Sequence, residues 1–213
     1  MRKFEIVALL ILGGGLILGA CGGPAQPTAA PAQPTAAPAP SQIKVLRIGV
    51  VTYPDVIDPQ KSSVVNEINI LQLAYEGLVR LDEKGSVQAG SADKWEKSAD
   101  GKTITFHIRD GLKRWDGTPM GCADFEYALK REVDPFTSGR LYSSIVRDIK
   151  GAQELLDYGD TTAPDNMDRQ QVGALYANYG VHCTDQQTLQ VELDSPIGFW
   201  EYIASTWVTF PAD

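Results

Sequence analysis

The chain has 213 residues, of which 43% are hydrophobic and 22% charged, with a formal net charge of -8. This balance excludes a disordered or collagen-like chain, since apolar content is ordinary and Gly (20) and Pro (13) are not in excess. It also argues against a nucleic-acid partner, because phosphate backbones are held by clustered Lys and Arg.

The chain opens on Met1-Arg2-Lys3, continues as a mostly apolar run over residues 6–18 and ends that run on Leu18-Gly19-Ala20-Cys21. A basic start, an apolar stretch of this length and small residues at its end make a secretory signal peptide. The run falls short of the roughly 20 residues that cross a bilayer, and Gly13-Gly14-Gly15 weakens it as a helix. Leu18-Gly19-Ala20-Cys21 resembles the lipobox of bacterial lipoproteins, which implies a signal peptide over residues 1–20 and lipid modification of Cys21. An ordinary cleaved signal with an incidental Cys is the alternative. Residues 21–42 then form a tether: Pro24-Ala25-Gln26-Pro27-Thr28-Ala29-Ala30 repeats unchanged over residues 31–37 and is followed by Pro38-Ala39-Pro40. Such a tract buries no core and extends as polyproline II, at about 3.1 Å per residue.

The remaining chain reads as one mixed domain. Residues 45–51 are rich in β-formers and end at Tyr53-Pro54, which predicts a strand running into a loop. Residues 64–81 carry apolar side chains at roughly helical spacing, with Ser63 or Asn66 as candidate caps and Gly77 marking the end. Residues 82–85 form a turn. Trp95-Glu96-Lys97-Ser98, Asp100-Gly101 and the alternating run 103–109 predict a β-hairpin with Ile104, Phe106 and Ile108 buried. Asp116-Gly117-Thr118-Pro119 leads into a helix with Phe125, Ala128, Leu129 and Val133 on one face, closed by Asp134-Pro135. Asp124 in its first turn and Lys130-Arg131 in its last suit the helix dipole. Residues 157–179 read as a surface loop with a helix over 167–177, and residues 188–193 as a strand; the aromatic-rich stretch 196–210 is ambiguous. Cys122 and Cys183 read as two buried free thiols or as a bridge, with the free thiols preferred. The fold class expected is α/β in the broad sense, an α+β mixture with antiparallel hairpins.

Several of these pieces in this order resemble the family 5 solute-binding proteins of ABC importers, the oligopeptide- and dipeptide-binding group. The resemblance rests on Asp58-Pro59, Tyr75-Glu76-Gly77-Leu78, Ala92-Asp93-Lys94-Trp95-Glu96, Asp100-Gly101, Thr105-Phe106-His107-Ile108-Arg109-Asp110-Gly111, Trp115-Asp116-Gly117-Thr118-Pro119, Ala123-Asp124-Phe125, Arg131, Asp134-Pro135 and Thr188-Leu189. Each is weak alone; the series is specific. Two departures stand out: Met120-Gly121-Cys122 replaces a Thr helix cap by Gly, which is tolerated at small cost, and the 157–179 stretch is longer than usual.

The resemblance implies a class II periplasmic-binding-protein-like fold, two-lobed in the full family, with ligand enclosed by hinge closure. Family members are much longer, so it implies part of the first lobe: its start at 43–80, an inserted subdomain at 81–205 and a truncated return at 206–213. It implies a monomer that binds a peptide or other small solute, works with ABC permease subunits and sits on the outer face of the cell membrane, or in a periplasm, through lipidated Cys21. By position, Tyr53, Pro54 and Tyr142 are the expected ligand-binding residues; Trp95, Trp115, Asp116 and Phe125 are expected to be framework. No cofactor is expected. Enzymatic readings have little support, for there is no G-x-S-x-G, Walker loop or H-E-x-x-H, and His107 and His182 lack metal-ligand spacing. Asp55 and Asp58 are a weak acid/base pair. The rival readings are a fragment without a transport role and a structural surface lipoprotein.

Overall fold

The alternation of Ile104, Phe106 and Ile108 with Thr103, Thr105 and His107 gives β4 (Thr103–Ile108) one fully buried face and one half-exposed face. That is the period-2 burial of a strand lying on a core. In the computed structural model, which describes residues 44–137 and 141–212, β4 is a central strand. The signal-peptide, lipidation and tether readings, with Cys21, lie outside the described residues. Contacts divide the chain between Arg47 and Ile48, and the fold is that of the unit beginning at Ile48.

On one side β4 pairs with β3 (Ala92–Lys97), with Trp95 opposite Phe106, through the expected Asp100-Gly101 turn. The Asp100 carboxylate closes that turn by accepting from the Ser98 hydroxyl at 2.5 Å and the Lys102 amide at 3.1 Å. On the other side lies β6 (Thr188–Glu192), with Phe106 opposite Leu189, and beyond it the short edge strand β5 (Val181–Cys183). The sheet order is β3-β4-β6-β5, antiparallel throughout. Helix α2 (Cys122–Val133) covers the buried face with Phe125, Ala128, Leu129 and Val133, the residues its spacing predicted. Gly121 is its cap, and the Gly121 amide donates to the Asp124 carboxylate at 2.7 Å. Phe106 meets Trp200 at 6.1 Å between ring centres, so the short helix α5 (Trp200–Ile203) resolves part of the ambiguous aromatic stretch as core.

Three expectations give way. Residues 45–51 form no strand; Val45, Leu46, Ile48, Val50 and Val51 are exposed. A strand needs a neighbour to take its backbone bonds, and neither sheet among the described residues includes this segment. Helix α1 (Val65–Ala74) ends well before residue 81, and neither Ser63 nor Asn66 caps it, Val64 being the cap residue. The chain leaves α1 extended at Tyr75 because Leu78 and Val79 are drawn into the core and β1 (Val79–Leu81) pairs with β2 (Val87–Ala89). Gly77 fits this passage, since a Cβ there would lie 2.7 Å from the Phe210 ring and 3.2 Å from the Ala204 carbonyl. Finally, Cys122 and Cys183 are joined by a disulfide, not free. The first residue of α2 and the last of β5 face each other with their Cα atoms 5.9 Å apart, a packing relation no spacing in the chain reveals.

In the 157–179 stretch the helix expected over residues 167–177 is present as α4 (Arg169–Tyr176); what was not expected is the end of α3 (Ala152–Thr161). Leu155 and Leu156 bury one face of α3. Gly151 precedes it with φ +74°, and a Cβ there would meet the Asn178 carbonyl at 2.7 Å.

The ends of this fold are tied together by polar side chains. Arg131 of α2 donates from both terminal nitrogens to the two Asp58 carboxylate oxygens, each at 2.6 Å, and from one of them to the Gln60 side-chain oxygen at 2.6 Å. Gln60 is 2% exposed. Its amide nitrogen donates to the carbonyls of Val208 and Phe210, both at 2.9 Å. Burial pushes the Asp58 carboxyl up, but the bonds and charge of Arg131 outweigh it, and the group stays below its ordinary range. Asp58 in turn raises Arg131.

Three outcomes follow from these links. Reducing the disulfide, or replacing both cysteines by Ser, is expected to destabilise the fold by ~4 kcal/mol on the chain-entropy account for a sequence separation of 61 residues, read as a lower urea midpoint with reductant than without. Arg131→Met is expected to cost about 3 kcal/mol, since it strands Asp58 and Gln60. Because the Asp58 pKa is lowered on folding, the pair stabilises fully above the ordinary carboxylate pKa and fades as pH falls towards the lowered value. The double variant Asp58→Asn, Arg131→Met is therefore expected to lose stability less steeply between about pH 4 and pH 2 than the natural chain does, as followed by urea midpoints across that range.

Candidate functional site

The expected ligand residues fall at two places in the chain that the structure draws to one end of α1. Tyr53 is 93% exposed on an irregular loop, and Pro54 beside it is half-buried. Tyr142 is half-buried; its ring stands edge-on to Trp207 at 5.2 Å between centres, and its hydroxyl donates to the Ser63 carbonyl at 3.4 Å. Trp207 donates from its indole nitrogen to the Ser62 carbonyl at 3.2 Å. Residues 62–63, just before α1, thus carry both aromatic contacts.

The Tyr53 loop reaches the same place through polar bonds. Asn66, in the first turn of α1, contacts Thr52 through its side-chain amide. Glu67, one residue on, is 4% exposed, and its carboxylate accepts the amides of Asp55 at 3.1 Å and Val56 at 2.9 Å. Ser62 adds a third tie, donating from its hydroxyl to the Val56 carbonyl at 2.6 Å. The Val56 amide lowers the Glu67 pKa most; burial opposes it, and the amides of Asp55, Ser63 and Val64 add to the lowering. A carboxylate among converging N–H donors at a helix start is electrostatically favoured. Glu67 and Gln60 do not figure among the sequence-derived candidates. A Glu three residues after a helix cap is the signal for Glu67, because that position can reach back across the start of the helix; the cap itself, Val64, gave no hint.

The other singled-out residues have plainer places. Phe125 is core, and Trp95 packs half-buried against it. Trp115 is 92% exposed, so it is not internal framework in the described residues. Asp116 closes its own turn by accepting from the Thr118 amide at 2.9 Å and hydroxyl at 2.7 Å. His107 lies on the outer face of β4, 3.4 Å from Glu96 across the strand pair. Asp58 is engaged by Arg131 rather than paired with Asp55. Among the described residues no three His, Cys, Asp or Glu side chains are grouped so as to hold a metal, and no helix is long and apolar enough to cross a membrane. A cleft of about 450 Å³ lies between Tyr75-Glu76, the loop from Leu112 to Trp115, Met120 and Pro211; none of the three expected ligand residues lines it.

The arrangement can do one kind of chemistry well: it presents an exposed aromatic loop on a braced backbone. Comparison with known proteins gives this a family. The model for bacterial extracellular solute-binding proteins, family 5 Middle, matches residues 86–212. The periplasmic murein peptide-binding protein MppA of Escherichia coli is 35% identical over 159 residues, covering 74% of this chain and 27% of that protein. The oligopeptide-binding protein OppA of Bacillus subtilis is 28% identical over 210 residues, covering 99% of this chain and 35% of that one. Among solved structures, Haemophilus influenzae OppA in complex with the peptide RPPGFSPFR is similar with a TM-score of 0.63 at 31% identity, over 74% of this chain and 28% of that one. The chain thus spans about a third or less of its relatives' length. With the family model matching more than half of the chain and MppA 35% identical over 74% of it, the chain belongs to the bacterial extracellular solute-binding proteins of family 5.

Proposed function

We propose that these residues serve a receptor that captures oligopeptides outside the cytoplasmic membrane and delivers them to the permease of an ABC importer. The observation that carries this reading is the family match over residues 86–212, joined by likeness to an OppA structure that holds a nine-residue peptide. An extended peptide can be held through its backbone as if it were an added strand, which tolerates varied side chains. Tyr53, Pro54 and Tyr142 are the proposed ligand-lining residues: Tyr53 offers a large exposed ring, and aromatic anchors bind at little entropic cost. The function is binding, with no cofactor and no catalytic group, and the unit acts as a monomer. Residues 43–80 and 81–205 are proposed as the start of the first lobe and its inserted subdomain. Lipid attached at Cys21 would hold the receptor at the membrane, with residues 21–42 as the tether.

Calorimetry of the full chain against a library of tri- to pentapeptides tests the assignment. Peptide binding is expected, and Tyr53→Ala or Tyr142→Ala is expected to weaken it about 5- to 10-fold. Tight binding of a sugar or a metal complex with no response to any peptide would sink the peptide reading. Labelling with radioactive palmitate in a bacterial host is expected to mark the protein and to be abolished in Cys21→Ser; equal labelling of the two would remove the anchor.

A further inference from the structure

The loop carrying Tyr53 and Pro54 has no regular structure of its own, yet a buried carboxylate takes up the two backbone N–H groups that follow it. Glu67 takes both amides that directly follow Pro54, those of Asp55 and Val56. It does so from the first turn of α1, a helix anchored by the fully buried Leu71. We propose that Glu67 is a positioning residue for ligand capture: it clamps the backbone after Pro54 so that Tyr53 and Pro54 are presented in one arrangement instead of many. This rests on the reading that those two residues line the ligand site.

A carboxylate suits the task for two physical reasons. It has only acceptors, so every nearby N–H finds a partner, and bonds to a charged oxygen are stronger than neutral ones. A glutamine at the same place keeps one acceptor oxygen but turns an NH2 group towards those donors. The consequence for binding is entropic. A loop ordered before the ligand arrives spares the cost of ordering it on contact, so loosening it weakens affinity even though Glu67 is too enclosed, at 4% exposure, to present a surface to a ligand.

Hydrogen exchange on the whole chain reads the clamp, and peptide titration reads its purpose. In Glu67→Gln the Asp55 and Val56 amides are expected to exchange about 10- to 100-fold faster, while β4 and β6 keep their protection. Glu67→Ala is expected to go further in the same order, because it keeps no acceptor. With tri-alanine as the probe, Glu67→Gln is expected to weaken binding about tenfold, and the double variant with Tyr53→Ala to bind no more weakly than Tyr53→Ala alone. That non-additivity marks action through Tyr53; a Glu67 that merely stabilised the fold would give additive losses. Unchanged exchange at residues 55–56 overturns the clamp, and additive losses overturn the positioning role. If Tyr53→Ala leaves affinity intact, or no tri-alanine binds, the ligand-loop reading has failed and the positioning role with it, while the exchange data still decide the clamp on their own.

Discussion

The two-pronged bond between Arg131 and Asp58, extended by Gln60 to the carbonyls of Val208 and Phe210, is the joint on which the arrangement of this unit depends. It links three segments distant in the chain: the loop before α1, the last turn of α2 and the stretch after α5. Neither the loop around Asp58 nor the stretch at 208–210 has a sheet to hold it. Their positions derive from α2, and α2 takes its own from Phe125, Leu129 and Val133 pressed onto the sheet. The order of dependence runs from apolar burial to helix, from helix to guanidinium, and from guanidinium to loop. Arginine suits this role because its planar fork matches a carboxylate and leaves further N–H groups for Gln60.

The same economy of parts is seen in how the loops of the unit are braced. Two of its buried polar side chains, Gln60 and Glu67, bond to backbone groups of irregular segments, and so they brace loops. An exposed aromatic on a braced loop suits the receptor role proposed above. The disulfide adds to this bracing by joining the start of α2 to the edge strand β5 and enclosing α3 and α4 between its ends. Such a bond is chemically at home outside the cytoplasm.

Legibility in the sequence followed the range of the interactions involved. The Asp100-Gly101 hairpin and α2 were readable because turn chemistry and the periods of 2 and 3.6 are local. Family likeness was readable for the same reason, being carried by short motifs in series. The end of α1 was not, because Tyr75 to Leu78 leave helix under the pull of the core and of Phe210, residues far off in sequence. The Cys122–Cys183 bridge was missed because spacing says nothing about whether α2 and β5 touch. Of the candidate site, Tyr53, Pro54 and Tyr142 are proposed from position alone, while Glu67 and Gln60, which hold the surroundings in place, do not stand out in the sequence: a buried Glu or Gln looks like any exposed one until its partners are known.

By itself, then, the amino-acid sequence determined what local physics controls: which runs alternate, where turns and helix ends fall around β4 and α2, and the family pattern; the apolar run over residues 6–18 and the Pro-rich tract after it are features of the sequence alone. Tertiary structure decided the rest. It denied residues 45–51 a strand among the described residues, shortened α1, closed the disulfide, and brought Asp58, Gln60, Arg131 and Phe210 to one point. Each of those outcomes is set by a contact between residues far apart in the chain, and the free energy of such a contact depends on burial and geometry that exist only once the chain has folded.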